Sequence, residues 1–224
     1  HATLPASTDR HGWQPQPGVL HRLEVPGVTD RFTTGGGRGT GLRLDSGVED
    51  GAVVGVHFDP LLAKVVAWAP NRAEAARRLA FALARSRVHG LVTNRDLLVN
   101  ILRHPRFLEG RVDTALLGEV TVKGSVDKET ERLCALAAAL ADAAANRASA
   151  PVLAGLPSGW RNVPSQPQVK RYRAVASGTE HQVRYRMGRG GLDAEGYPGV
   201  VLAEAGPDRV MLESAGVRRT FEVA

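Results

Sequence analysis

The sequence predicts an α+β chain, a sheet-and-helix part followed by a long helix packed on a small antiparallel β-barrel. Three observations carry this. The stretch "HFDPLLAKVVAWAPNRAEAARRLAFALARSRVHGLVTNRD", residues 57–96, opens on an apolar run from Leu61 to Trp68 and passes into an Ala/Leu/Arg period. Farther on, Leu133, Leu136, Leu140 and Ala144 step by three and four, the spacing of one helical stripe. The chain then breaks into short β runs separated by turn residues.

Taken in order, residues 1–56 are rich in Gly and Pro and hold two short strand-like pieces, "VLHRLEV" and "GLRLDS", around the loop "PGVTDRFTTGGGRGT". Leu61 to Trp68 is dense enough for a strand buried on both faces and too short for a membrane span. Asn71, three residues before Glu74, is a capping pair, so a helix follows. A second strand from about Arg87 to Val92 and a helix capped near Thr93 or Asn94 complete the unit, which closes near residue 118 after Pro105 and Gly110. An Ala-rich helix with an Asp cap runs from Asp127 to about Ser149. After the connector "PVLAGLPSGWRNVPSQPQ" come "VKRYRAVAS", "EHQVRYRMG", "VVLAEAG", "RVMLESAG" and "VRRTFEVA", spaced as in a small barrel.

With 224 residues and 43% hydrophobic content the chain can bury one large core or two ordinary ones. No apolar run is long enough for a membrane helix and no secretory leader is visible, so a cytoplasmic protein is expected. It begins with His and ends in "TFEVA", which reads as a piece of something longer. The net charge is +6, and residues 158–190 hold seven Lys/Arg against Glu180 alone, leaving 22 of each sign elsewhere. That basic segment would suit nucleic acid, an acidic protein surface or a phosphorylated ligand.

No catalytic set is legible. "GGGRGTG", residues 35–41, lacks the apolar strand before it and the helix after it that a phosphate loop needs, and is expected to be a hairpin loop. The seven histidines show no helical pairing with a glutamate, and a single cysteine cannot build a thiolate site, so zinc and iron have no footing. Cys134 is expected to be a small buried hydrophobe. There is no G-x-S-x-G elbow. Asp45, Asp59 and Asp113 sit at strand starts or turns, where capping and solvation account for them. Lys64, inside an apolar strand, must reach an edge or an acidic partner, and the edge is the preferred expectation.

The stretch "FDPLLAKVVAW", "RAEAARRLAFAL", "GLVTN" and "FLEGRVDTALL" resembles, in order and spacing, the C-terminal lobe of the biotin carboxylase family, whose pattern runs YDP-(M/L)-(I/L)-AK, R-x-x-A-x-x-(K/R)-(L/M)-x-x-A-L, G-(V/L/I)-x-TN and F-x-x-G. "GWQPQPGVLHRLEVPG" and "GLRLDSGVEDG" extend the likeness over residues 12–117. The family's HA-x-E-x-R segment is broken here, because "TLPASTDR" follows His1-Ala2, and its arginine's role toward the biotin enolate is not carried over. The resemblance implies an antiparallel sheet with helices over residues 1–120, and over 121–224 the helix-and-barrel linking domain of propionyl-CoA and methylcrotonyl-CoA carboxylase alpha subunits. The connector is similar to that of actinobacterial members.

The same resemblance implies a ligase of fatty acid or branched-chain amino acid metabolism, using biotin, ATP and Mg²⁺ or Mn²⁺. The nucleotide-binding lobes and the biotinyl domain with its MKM lysine are not in this sequence, so the piece alone is expected to be inactive, with no catalytic, cofactor or metal residue assigned. Residues 57–96 would back the carboxylation cleft. The implied partners are the carboxyltransferase beta subunit and the biotinyl domain of the same chain, in a hetero-oligomer without membrane or nucleic acid. Trp160, Arg161, Asn162, Arg171 and Arg173 are the candidate interface residues, since Trp and Arg dominate interface hot spots. Two other readings stand beside this one. Tyr172 and Tyr185 within the basic segment suggest a nucleic-acid-binding barrel, and a solvated barrel face would be a non-catalytic interaction protein.

Overall fold

A computed structural model describes the backbone of residues 2–5, 7–8, 14–15, 17–33, 39–59, 61–120, 126–152, 154–156, 166–175, 177–188 and 190–224, with side chains from residue 17 onward. The chain forms two compact units, His1–Ser125 and Val126–Ala224.

In the first unit the strands are β1 (Ala2–Pro5), β2 (Ser7–Thr8), β3 (Gln14–Pro15), β4 (Gly18–Val19), β5 (Arg22–Glu24), β6 (Asp30–Arg31), β7 (Gly41–Ser46), β8 (Val53–Val54) and β9 (Leu61–Trp68). After them come α1 (Arg72–Ala84), β10 (Arg87–His89), α2 (Arg95–Arg103), α3 (Pro105–Leu108) and α4 (Leu116–Glu119). The main sheet has the order β1-β9-β7-β6, antiparallel except for the β6–β7 pair. Its inner face brings Leu42, Leu44, Ala63 and Val65 against Ala76, Leu79, Ala80 and Leu83 of α1 and Val99 and Leu102 of α2.

Local chemistry sets the boundaries. The Asn71 side chain accepts from the Glu74 N–H at 2.9 Å, so the capping pair in the sequence starts α1. The strand after α1 stops at His89, short of the expected Val92. Gly90 takes φ 99° where the chain crosses β4, and a Cβ there would stand 2.0 Å from the Val19 carbonyl oxygen. Gly41 serves a different purpose. Paired across the sheet with Trp68, it leaves room for the indole, which a Cβ would meet at 2.2 Å. Lys64 is not an edge residue, because β9 has β1 on one side and β7 on the other; it is half-buried with Asp45 as its cross-strand neighbour.

The second unit is built on α5 (Lys128–Ala148), β11 (Gln168–Arg173), β12 (Glu180–Gly188), β13 (Gly191–Ala194), β14 (Val201–Ala205), β15 (Arg209–Ser214) and β16 (Val217–Glu222). Asp127 caps α5 by accepting from the Thr130 N–H at 2.8 Å. The β part is two three-stranded antiparallel meanders, β11-β12-β13 and β14-β15-β16. Ala215 and Gly216, at φ 50° and 73°, supply the positive angles that a tight two-residue hairpin requires between β15 and β16. Leu133, Leu136 and Leu140 of α5 pack on Val183 and Tyr185 of β12 and Val210 and Leu212 of β15, the middle strands of the two meanders. β13, four residues beside two glycines, had no signal in the sequence.

Cys134 departs from expectation: it is exposed. It lies two positions from Leu136, a rotation of about 200° around the helix, and so faces away from the stripe. Partial desolvation and the neighbouring Glu131 and Asp127 carboxylates push its thiol up, away from the reactive thiolate.

Candidate functional site

Period-two alternation along β11 sorts the basic segment into two faces. Lys170 and Tyr172 point toward α5, while Val169, Arg171 and Arg173 are exposed. On the inner side the Lys170 ammonium pairs with the Asp142 carboxylate of α5. Nearer the start of α5, His181 Nε2 lies 2.7 Å from Glu131 Oε1, with the two side chains only 13% and 14% exposed. The Ser177 hydroxyl donates to the same oxygen at 3.0 Å. His181 first and Ser177 second hold the Glu131 carboxyl below the usual carboxylate range. Burial, reinforced by Asp142, pushes the Tyr172 phenol up to about 12.

The outer face of β11-β12-β13 is charged. Arg184 of β12 donates to Glu195 at 2.7 Å, and Arg186 lies 3.7 Å from Asp193 of β13. Among the described residues neither Arg171 nor Arg173 has an ion pair. These two cations are therefore available to an incoming anion. Trp160, Arg161 and Asn162, the other candidate interface residues, lie outside the described residues. Tyr185 is 1% exposed and Tyr172 packs on the α5 core, so neither ring offers the stacking surface that motivated a nucleic-acid-binding barrel.

In the first unit the outer face of the main sheet carries a second charged group. Arg43 Nε donates to Asp45 at 3.1 Å and Arg43 Nη1 donates to the Thr33 carbonyl at 2.7 Å. Asp45 also accepts from the Phe32 N–H at 3.1 Å. Asp59 caps the start of β9 through the Leu61 N–H at 2.9 Å, and Asp113 accepts from the Leu116 N–H at 3.2 Å, the turn roles expected of them. Phe58 is 89% exposed in the loop leading into β9. A cleft of about 260 Å³ opens beside α1, where the Arg72 guanidinium stacks 4.6 Å above the Phe107 ring over Leu79 and Leu102. That volume is below the ~300–1,000 Å³ of a small-molecule pocket.

The inward roles of Lys170 and Tyr172 were present in the alternation of "VKRYR", but their helix partners were not. Glu131 and His181 are 50 residues apart and share no local motif.

Comparison with known proteins gives two family matches in tandem: "Biotin carboxylase C-terminal domain" over residues 4–119 and "Methylcrotonyl-CoA carboxylase, alpha-subunit, BT domain" over 130–224. The chain is 34% identical over 113 residues to the mitochondrial methylcrotonoyl-CoA carboxylase subunit alpha of Glycine max, covering 50% of this chain and 14% of that protein. It is 40% identical over 109 residues to pyruvate carboxylase 1 of Caenorhabditis elegans, covering 48% of this chain and 8% of the relative. Among solved structures, a Rhizobium etli pyruvate carboxylase with the allosteric activator acetyl coenzyme A superposes with a TM-score of 0.50 at 27% identity, over 77% of this chain and 16% of that one. The chain thus spans a small part of the relatives it matches. These matches give no support to an actinobacterial origin.

Proposed function

The chain belongs to the biotin carboxylase C-terminal domain family, and on that footing we propose that it is part of the alpha subunit of a biotin-dependent acyl-CoA carboxylase. In this reading the first unit backs the cleft in which biotin is carboxylated, and the second holds the alpha subunit to a carboxyltransferase beta subunit. The tandem order is the observation that carries it: a biotin carboxylase C-terminal match followed directly by a match to the linking domain of an acyl-CoA carboxylase alpha subunit. Pyruvate carboxylases are also among the relatives, with a match over 48% of this chain.

The described residues do not fit the cofactors of such an enzyme. Among them no three His, Cys, Asp or Glu side chains gather to hold a divalent cation. The α1 cleft is small, with a guanidinium committed to its own Phe107 carbonyl at 3.0 Å. We therefore assign ATP, Mg²⁺ or Mn²⁺ and biotin to other parts of the parent enzyme and derive no step through them here. This chain supplies scaffold and docking, and alone it would neither release ADP nor carboxylate biotin. No helix among the described residues is long and apolar enough to cross a membrane.

Docking is assigned to Arg171 and Arg173 on β11 and, from the sequence alone, to Trp160, Arg161 and Asn162 of the connector. Charge-reversing both β11 arginines, Arg171→Glu with Arg173→Glu, should weaken association with an acyl-CoA carboxylase carboxyltransferase subunit at least tenfold, the equivalent of about 1.4 kcal/mol. The melting curve should stay unchanged, because both side chains are exposed. Isothermal titration of wild type and variant measures the difference. Wild-type chain that shows no binding at high micromolar concentration, or a folded variant that binds undiminished, overturns the assignment.

A further inference from the structure

The cleft beside α1 combines an apolar floor with a single charge. Ala75, Ala76 and Leu79 of α1 and Leu102 of α2 form the floor, and Arg72 is the one ionisable residue on the lining. Its guanidinium is fixed on two sides. Nε donates to the Phe107 carbonyl at 3.0 Å, and the group lies 4.6 Å from the centre of the Phe107 ring. That carbonyl is itself held, because Gly110, at φ 79°, turns the chain after α3 and donates its N–H to the same oxygen at 3.2 Å. Among the described residues Nη1 and Nη2 of Arg72 have no partner. The acids nearest in sequence to Arg72 and Phe107 are engaged elsewhere, Glu74 with Arg78 and Glu109 with Arg111. A cation with two open donors, immobile and beside aliphatic side chains, matches an anion that carries a tail.

We propose that this cleft binds a short aliphatic carboxylate, with its head on the terminal amino groups of Arg72 and its tail over Ala75, Ala76, Leu79 and Leu102. Guanidinium N–H groups lie in one plane and suit the two oxygens of a carboxylate, which a lysine in the same place would not match. The volume of about 260 Å³ sets the tail. At roughly 30 Å³ per heavy atom, the share of a water molecule in the liquid, the cleft holds roughly eight atoms, which is a six-carbon acid with its two oxygens. A nucleotide or biotin is too large for it, and an inorganic anion would leave the floor bare. Because the guanidinium is already fixed by Phe107, binding does not have to immobilise it, which lowers the cost of association.

Titration of the isotope-labelled full chain with acetate, butyrate, hexanoate and octanoate at constant ionic strength, followed by amide NMR shifts, tests this. Shifts should centre on Arg72 to Ala76 and on Phe107. Burying one methylene is worth about four-fold in affinity, so hexanoate should bind about sixteen-fold more tightly than butyrate. Octanoate, longer than the cleft, should gain nothing further. Hexylammonium, with the same tail and the opposite charge, should leave these amides unmoved. Ala75→Leu fills the cleft while keeping Arg72 and Phe107, and should weaken hexanoate at least tenfold without lowering the melting temperature. Arg72→Gln should weaken it as far; if loss of the Phe107 contacts unfolds that variant, Ala75→Leu and the ligand series decide. Hexanoate bound no more tightly than acetate would mean an adventitious anion on an exposed arginine, and overturns the proposal. So do equal binding of hexylammonium, undiminished binding by folded Ala75→Leu, and unshifted amides at tens of millimolar hexanoate. No carboxyltransferase partner enters the experiment, so the cleft and the docking assignment can fail separately.

Discussion

Leu136 and Cys134 stand two residues apart on α5 and should respond oppositely to truncation. Leu136 is fully buried among Leu133, Leu140, Val183 and Leu212, whereas Cys134 is exposed. Leu136→Ala deletes a side chain from a packed site, a change worth about 2–5 kcal/mol. The upper half of that range is expected here. The flanking helix positions are Ala135, Ala137 and Ala139, which have no longer side chain to lean into the void. For a unit of this size each kcal/mol lowers the melting temperature by roughly 4–8 °C, so a fall of about 15–40 °C is expected. Cys134→Ser, on the solvent side, should stay within about 0.5 kcal/mol of wild type. All three tyrosines, Tyr172, Tyr185 and Tyr197, belong to the second unit. Their near-ultraviolet circular dichroism reports the melting of that unit, on top of the Trp68 signal of the first unit, which the substitution leaves in place. A Leu136→Ala transition within a few degrees of wild type, or a Cys134→Ser transition shifted as far as that of Leu136→Ala, would refute the helix orientation.

Two further outcomes concern the first unit. Gly41→Ala places a methyl 2.2 Å from the Trp68 ring and should cost about 1–3 kcal/mol, read by urea denaturation; a neutral result would mean the indole is free to swing away. Arg87 and Arg22, donating to Glu24 at 3.0 and 2.7 Å, hold its carboxyl below the ordinary 4.5. A carboxyl whose folded value is depressed stabilises the fold above its ordinary value and loses that contribution as pH falls through the lowered one. The stability gap between wild type and Glu24→Gln should thus be constant from about pH 6 upward and narrow as pH falls below the ordinary 4.5; a gap that widens on acidification contradicts the pairing.

How much of this was legible in the residues depends on how local the cause is. Asn71, Asp127 and the leucine stripe of α5 act within one or two helical turns, and the structure places them as the sequence predicts. "GLRLDS" and "EHQVRYRMG" become β7 and β12 with the same bounds, because apolar alternation fixes a strand from within. Errors arose where a distant neighbour decides. The early end of β10 depends on the crossing by β4 at Gly90, which no property of "RVHGLV" announces. Lys64 lies inside the sheet because β1 adds a strand outside β9. Cys134 was placed by its apolar neighbours in sequence when its angle around the helix was the governing quantity. The candidate site divides in the same way, since the outward direction of Arg171 and Arg173 is periodic and legible, while the helix partners of Lys170 and His181 are not.

That division bears on how the proposed docking face is held in shape. β11 is an edge strand, hydrogen-bonded within its sheet to β12 alone, and its outer residues Arg171 and Arg173 alternate with inner residues Lys170 and Tyr172. An edge strand with hydrogen bonds on one side needs side-chain anchors to keep its register. The Lys170–Asp142 pair and the burial of Tyr172 against the α5 core supply them from the inner face. The outer arginines, which have no ion pair among the described residues, keep their order because the backbone that carries them is fixed from behind. Exposed ion pairs contribute little to stability, about 0–1 kcal/mol at the median, so leaving these two cations unpaired costs the fold little. With no ion pair among the described residues, their charge is what the proposed docking to an acidic surface would use. Under the proposed function, stability and docking fall to alternate residues of one strand, so a substitution at 171 or 173 should alter association without touching the core.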